Sequence, residues 1–76
     1  MKYRSDDEYK WGVKFGSNLK NRIAVASHTQ AELADKIGVS RQIMSRYIQG
    51  DAIPSVYKAC QIANVLGCSL DDLLNT

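Results

Sequence analysis

The sequence predicts a small all-α domain. Three observations carry this expectation. Only one proline and five glycines interrupt its 76 residues. Strings such as "ELADKIG" and "YKACQIANVLG" place apolar residues at helical spacing. Serine or threonine followed three positions later by a carboxylate precedes several of these runs, a mark of helix starts. The 45% hydrophobic and 24% charged shares suit a soluble globular protein. The length is near the lower limit at which a single core folds without disulfides or a metal.

Five helical pieces follow in order. Phe15, Leu19, Ile23 and Ala26 form a stripe at i, i+4, i+8 and i+11, so a first helix covers roughly residues 14–26. Ahead of it the pattern supports two readings, and residues 1–13 are either an arm or a helix extension. "SDDE" at 5–8 is a capping box that would start the helix early. Tyr9, Trp11, Val13 and Phe15 alternate with polar or glycine residues, which suits an extended arm, and Gly12 weakens a helix.

"TQAE" at 29–32 is the next capping box, with Thr29 as N-cap and Glu32 reaching back. Leu33, Ala34 and Ile37 give this short helix its apolar stripe, and Gly38 suits the left-handed residue beyond its end. Ser40 caps a third helix, along which Met44, Tyr47 and Ile48 are apolar, and Gly50 closes it. "DAIP" connects to a fourth helix that Pro54 is suited to enter. Its expected buried face is Val56, Ala59, Cys60, Ala63 and Leu66, with Gly67 at the end. "SLDD" at 69–72 opens a last short helix carrying Leu70, Leu73 and Leu74.

Two short helices separated by a glycine-containing turn make a helix-turn-helix unit, here at about 30–49. Ala34 is small enough to admit the following helix, and Gly38 reverses the chain without steric cost. Val39, Met44 and Tyr47 then lock the pair. Once Met44, Tyr47 and Ile48 face inward, the other side of the third helix carries Arg41, Gln42, Ser45, Arg46 and Gln49. An α-helix fits the major groove of B-DNA, where arginine grips guanine O6 and N7 and glutamine grips adenine N6 and N7. Positions 41, 42, 45 and 46 occupy the first turns, where a docked recognition helix meets bases. Gln30, with the open amides of its helix start, suits a phosphate. With Ser40 at the head of the third helix, the expected DNA-binding set is Gln30, Ser40, Arg41, Gln42, Ser45, Arg46 and Gln49.

The stretches "FGSNLK", "TQAELADKIGVSRQIMSRYIQG" and "IPSVYKACQIANVLGCSLDDLL" together resemble the lambda-repressor-like helix-turn-helix family, of the Cro/repressor or XRE type. The resemblance covers Phe15 to Leu74. It implies a compact five-helix DNA-binding domain over 14–76, a third helix that enters the major groove, and homodimers on palindromic operators. By this resemblance Gln30 matches the glutamine that anchors a phosphate at the start of the second helix. Arg41 and Gln42 match the two leading base-reading positions, and Arg46 the one a turn later.

Three departures from the family stand out. Many members pair an arginine late in the first helix with a glutamate just before the glycine that ends the third. Aligned without gaps, those positions are Ile23 and Ile48. An apolar contact in place of a buried ion pair is physically reasonable, because desolvating two charges often cancels their attraction. Ile23 and Ile48 are therefore expected to touch. The connector "GDAIPS" carries only Asp51 as a charge where the family is often basic, so phosphate contacts there come from backbone groups, Ser55 or Lys58, or are absent. Residues 1–14 lie outside most of the family pattern.

The remaining chemistry is sparse. Cys60 and Cys68 form no disulfide framework and lack metal-ligand spacing, so inert thiols in or near the core are expected, with no cofactor. His28 reads as a loop residue. Asp71 and Asp72 occupy a first helical turn, where negative charge complements the dipole, which removes them as a catalytic pair. Tyr3, Tyr9 and Trp11 suit either a partner or a closure over the core. The net charge is +2, with six basic and three acidic side chains in residues 1–30. Lys10, Lys14 and Lys20 belong to that surplus and read mainly as solvated surface.

No nucleophile–base pair, metal cluster or phosphate-cradling loop points to an enzyme. Nothing resembles a signal peptide or a membrane span, which implies a cytoplasmic chain. The expected function is that of a small bacterial or phage transcriptional regulator, homodimeric on a double-stranded DNA operator. Leu70, Leu73 and Leu74 mark the C-terminal end for the dimer contact. Two alternatives are an antitoxin, which would contact a toxin as well as DNA, and a protein-interaction adaptor that keeps the fold. Contact with polymerase would accompany the regulatory role.

Overall fold

A computed structural model describes residues 6–74. Its elements are α1 (Asp6–Val25), α2 (Gln30–Ile37), α3 (Arg41–Gln49), α4 (Val56–Leu66) and α5 (Leu70–Leu74). Among the described residues there is no strand, and the five helices form one body measuring 32 × 25 × 20 Å.

α1 runs unbroken from Asp6, so the alternating pattern of Tyr9, Trp11 and Val13 is not that of an extended arm. Asp6, Asp7 and Glu8 fill its first turn, where they complement the helix dipole. The glycine that weakens the local propensity, Gly12, is buried. Trp11 stacks on Phe15 with ring centroids 5.3 Å apart and nearly parallel planes. This i, i+4 stack within α1, together with the burial of Gly12 against the fold, offsets the roughly 1 kcal/mol propensity cost of a glycine. Tyr3 and Ser5, the opening residue of "SDDE", lie outside the described residues.

The inner elements start and stop where their side chains direct. Thr29 accepts from the Glu32 amide at 3.0 Å, and the Thr29 amide donates to Glu32 Oε1 at 2.8 Å, a complete capping box. Ser40 and Ser55 cap α3 and α4 by accepting from the amides of Ile43 and Lys58. Gly38, Gly50 and Gly67 follow α2, α3 and α4 in the left-handed conformation. Pro54 precedes the Ser55 cap rather than occupying the first helical position, and it is buried there.

The core joins Phe15, Leu19 and Ile23 of α1, Leu33, Ala34 and Ile37 of α2, and Met44 and Tyr47 of α3. Ala59, Ile62 and Ala63 of α4 and Leu73 of α5 complete it. The buried face of α4 differs from the sequence expectation at two positions. Val56 is 74% exposed and Cys60 is exposed, while Ile62 is fully buried. Side chains in a first turn tilt back past the helix end, so Val56 has nothing to cover it. Cys60 falls about 100° around the helix from Ala59 and turns to solvent. Cys68 is half-buried, and burial pushes its thiol pKa up. Leu73 is fully buried, and Leu70 and Leu74 pack against the core. Leu73 is thus taken up by the core of its own domain, and Leu70 and Leu74 are partly covered by it. No helix among the described residues is long and apolar enough to cross a membrane.

Candidate nucleic-acid interface

The inner face of α3 determines what its outer face presents. Met44 and Tyr47 are buried, and Ile43 and Ile48 pack against the core. Four residues on the remaining arc, Arg41, Gln42, Arg46 and Gln49, are exposed. Ser45 is half-buried, and its Oγ accepts from Gln49 Nε2 at 3.3 Å, one turn along. The face therefore offers two guanidinium groups and Gln42, while Ser45 and Gln49 partly satisfy each other. No acidic side chain lies on α3.

The neighbouring helix start is also open. Gln30 is exposed as the first residue of α2. The capping box engages the Glu32 amide, and Leu33 donates to the Thr29 carbonyl. The first amides of a helix have no intrahelical acceptor, and those of Gln30 and Ala31 stand in that position at the start of α2. Hydrogen bonds from the Thr29 backbone and side chain hold the Glu32 carboxylate below its ordinary pKa. Its charge is thus tied to the cap. Ser40 is exposed, but its hydroxyl oxygen already serves the α3 cap.

Three contacts fix how far and at what angle α3 stands out. Ala34, fully buried, gives it room against α2, and the Val39 amide donates to the Ala34 carbonyl at 3.0 Å across the turn. At the other end Gly16 of α1 lies directly against the α3 backbone. A Cβ there would fall 2.3 Å from the Ile48 carbonyl oxygen and 2.7 Å from that of Tyr47. Gly50 meets α1 in the same way, its added Cβ being 2.9 Å from Val13 Cα. The role of Gly16 is visible in the sequence only as a glycine inside a helical stripe, a sign of close packing without its target.

The connector residues that the sequence offers for phosphate both make hydrogen bonds within the chain, Ser55 at the exposed surface and Lys58 partly buried. Ser55 Oγ caps α4, and Lys58 Nζ donates to the Ile37 carbonyl at 2.5 Å. His28 is half-buried in the loop before α2. Asp72 caps α5 by accepting from the Ser69 amide and pairs with Arg22 at 3.6 Å, while Asp71 is exposed. Among the described residues no cluster of three or more His, Cys, Asp or Glu side chains is arranged to hold a metal.

The helix-turn-helix family model matches residues 26–73, which include α2 to α4 and nearly all of α5. The chain is 33% identical over 61 residues to the cryptic phage CTXphi transcriptional repressor RstR of Vibrio cholerae, covering 80% of this chain and 54% of that protein. Among solved structures, the SOS-response transcriptional repressor LexA of Eubacterium rectale superposes with a TM-score of 0.80 at 35% identity. That match covers 87% of this chain and 70% of the other. The restriction-modification controller protein C.AhdI of Aeromonas hydrophila also gives a TM-score of 0.80, at 25% identity, covering 86% of this chain and 98% of the other. The chain spans about half the length of the curated relatives it matches.

Proposed function

The chain belongs to the lambda-repressor-like (XRE-type) helix-turn-helix family of DNA-binding transcription regulators, and we propose that it reads a specific double-stranded DNA operator through α3. The observation that carries this reading is the split of α3. Met44 and Tyr47 bury one side, while Arg41, Gln42 and Arg46 stand exposed on the other with no acidic neighbour on the helix. A solvated helix face needs no such set, whereas major-groove base edges require paired donors and acceptors at this spacing.

In this reading Arg41, Gln42 and Arg46 contact bases, and Ser40, Ser45 and Gln49 support them at the groove edge. Gln30 and the open α2 amides hold a phosphate. Two copies would place their α3 helices in successive major grooves about 34 Å apart on a palindromic site. Binding there would block polymerase, and repression is the favoured outcome because similar proteins carry that description. A cytoplasmic location follows from the same role.

Selection of sites from random duplex DNA tests the proposal. A palindromic motif with half-sites one helical turn apart is expected, bound by two chains per duplex. Failure to enrich any motif at low salt would remove the DNA-reading role and favour a protein-interaction adaptor.

A further inference from the structure

Lys58 stands at the wrong end of its own helix. It lies in the first turn of α4, where its amide donates to the Ser55 cap and where the helix dipole disfavours a cation. Its side chain instead crosses to the C-terminal end of α2. There Nζ donates to the Ile37 carbonyl oxygen at 2.5 Å. That end of a helix presents unpaired carbonyls and negative partial charge, so it is the favourable place for an ammonium.

The location of this contact matters. Ile37 is the last residue of α2, and only Gly38, Val39 and Ser40 separate it from Arg41, the first residue of α3. A Cβ added at Gly38 would lie 3.9 Å from Lys58 Nζ, so the ammonium sits beside the turn itself. The other end of the clamp is firm, because the adjoining Ala59 and the nearby Ile62 are buried in the core. The Gly38 amide and the Val39 amide already serve the carbonyls of Ala34 and Asp35. Lys58 supplies a separate partner for Ile37.

We propose that Lys58 is a positioning residue, which holds the Ile37 carbonyl and thereby sets the direction in which α3 leaves the turn, rather than a phosphate contact. The inference rests on the DNA-reading role of α3. It assigns a basic residue near the interface to geometry instead of charge.

Lys58→Met keeps the stem and removes the donor, and Lys58→Arg restores a charged donor. Lys58→Gln, neutral but still a donor, serves as a further variant where the methionine chain does not fold. Without DNA, the methionine variant is expected to move the amide nitrogen resonance of Gly38 and to speed its hydrogen exchange, with recovery in the arginine variant. An unmoved Gly38 overturns the clamp. With the selected duplex, affinity is expected to fall about fivefold, the scale of one ordinary net hydrogen bond. Affinity for an unrelated duplex of equal length should hold, as should the slope of log affinity against log salt. A slope reduced by about 1 on both duplexes means that Lys58 holds a phosphate, which overturns the proposal, as does an unchanged affinity for the selected duplex. If no duplex is selected at all, the DNA-reading role fails, and Gly38 still reports separately on the clamp.

Discussion

Asn18 Nδ2 donates a 2.9 Å hydrogen bond to the Leu73 carbonyl oxygen, joining α1 to α5 across 55 positions of sequence. Both residues are buried. A helix as short as Leu70–Leu74 has no stability of its own, and its carbonyls lack intrahelical donors. Asn18 supplies one of them from inside the core. Asn18→Ala should therefore cost about 1–3 kcal/mol, the usual penalty for leaving a buried acceptor unpaired. The exposed Arg22–Asp72 pair beside it is worth far less, and Arg22→Ala should fall within about 0.5 kcal/mol. Urea unfolding of both variants checks this. Equal losses would show that the buried bond is not what secures α5.

Gly16 should not tolerate a methyl group. Alanine is the better helix former by about 1 kcal/mol, but the atoms a Cβ would strike belong to the α3 backbone and cannot rotate away. Overpacking typically costs about 1–3 kcal/mol, so Gly16→Ala is expected to lower the melting temperature despite its propensity. It should also shift the amide resonances of Tyr47 and Ile48. A variant as stable as the parent would mean that α1 and α3 separate at little cost.

Ile23 and Ile48 both belong to the core, the first buried and the second packed at its edge. We expect them to interact directly. Ile23→Arg alone should destabilise by about 3 kcal/mol or more, as a buried charge without a partner does. Adding Ile48→Glu should recover part of that loss. A double-mutant cycle in chemical denaturation measures the coupling, and purely additive losses would place the two side chains out of reach of one another.

Two caps predict a dependence on pH. Hydrogen bonds from Thr29 lower the Glu32 pKa, and hydrogen bonds from Ser69 lower that of Asp72. Folding thus favours both charged forms. Their contribution is complete above the ordinary carboxylate range and disappears as pH falls through the lowered folded values. The Glu32→Gln, Asp72→Asn double variant should melt below the parent at neutral pH. The gap should narrow steadily in acid, and a gap that stays constant would count against the caps as its source.

Base reading by α3 has its own signature. Gln42→Ala and Arg46→Ala should each lose about 1–3 kcal/mol of discrimination at particular base positions of the selected duplex. Uniform weakening across all sequences, with a shallower salt dependence, would assign these side chains to phosphate instead.

Much of the fold is local in origin and could be read directly from the chain. Thr29 with Glu32, Ser40, and the glycines at 38, 50 and 67 mark boundaries because capping and left-handed geometry act over a few residues. The outward set on α3 was legible for the same reason, since helical periodicity separates Met44 and Tyr47 from Arg41, Gln42 and Arg46. Reading failed where a neighbour decides. Val56 and Cys60 have apolar side chains at helical spacing, yet nothing packs over them. Leu73 resembled spare surface until α1 closed over α5.

The amino-acid sequence by itself determined the class of the fold, the start and stop of its inner helices and the side chains that α3 turns outward. Each depends on interactions spanning four or fewer residues. Tertiary structure decided between arm and helix for residues 6–13, and it alone decided that Gly16 lets α3 approach to backbone contact and that the Lys58 ammonium serves a carbonyl of α2. Those outcomes depend on which surfaces meet across tens of residues. Periodicity says that a face will be covered, but only packing says by what.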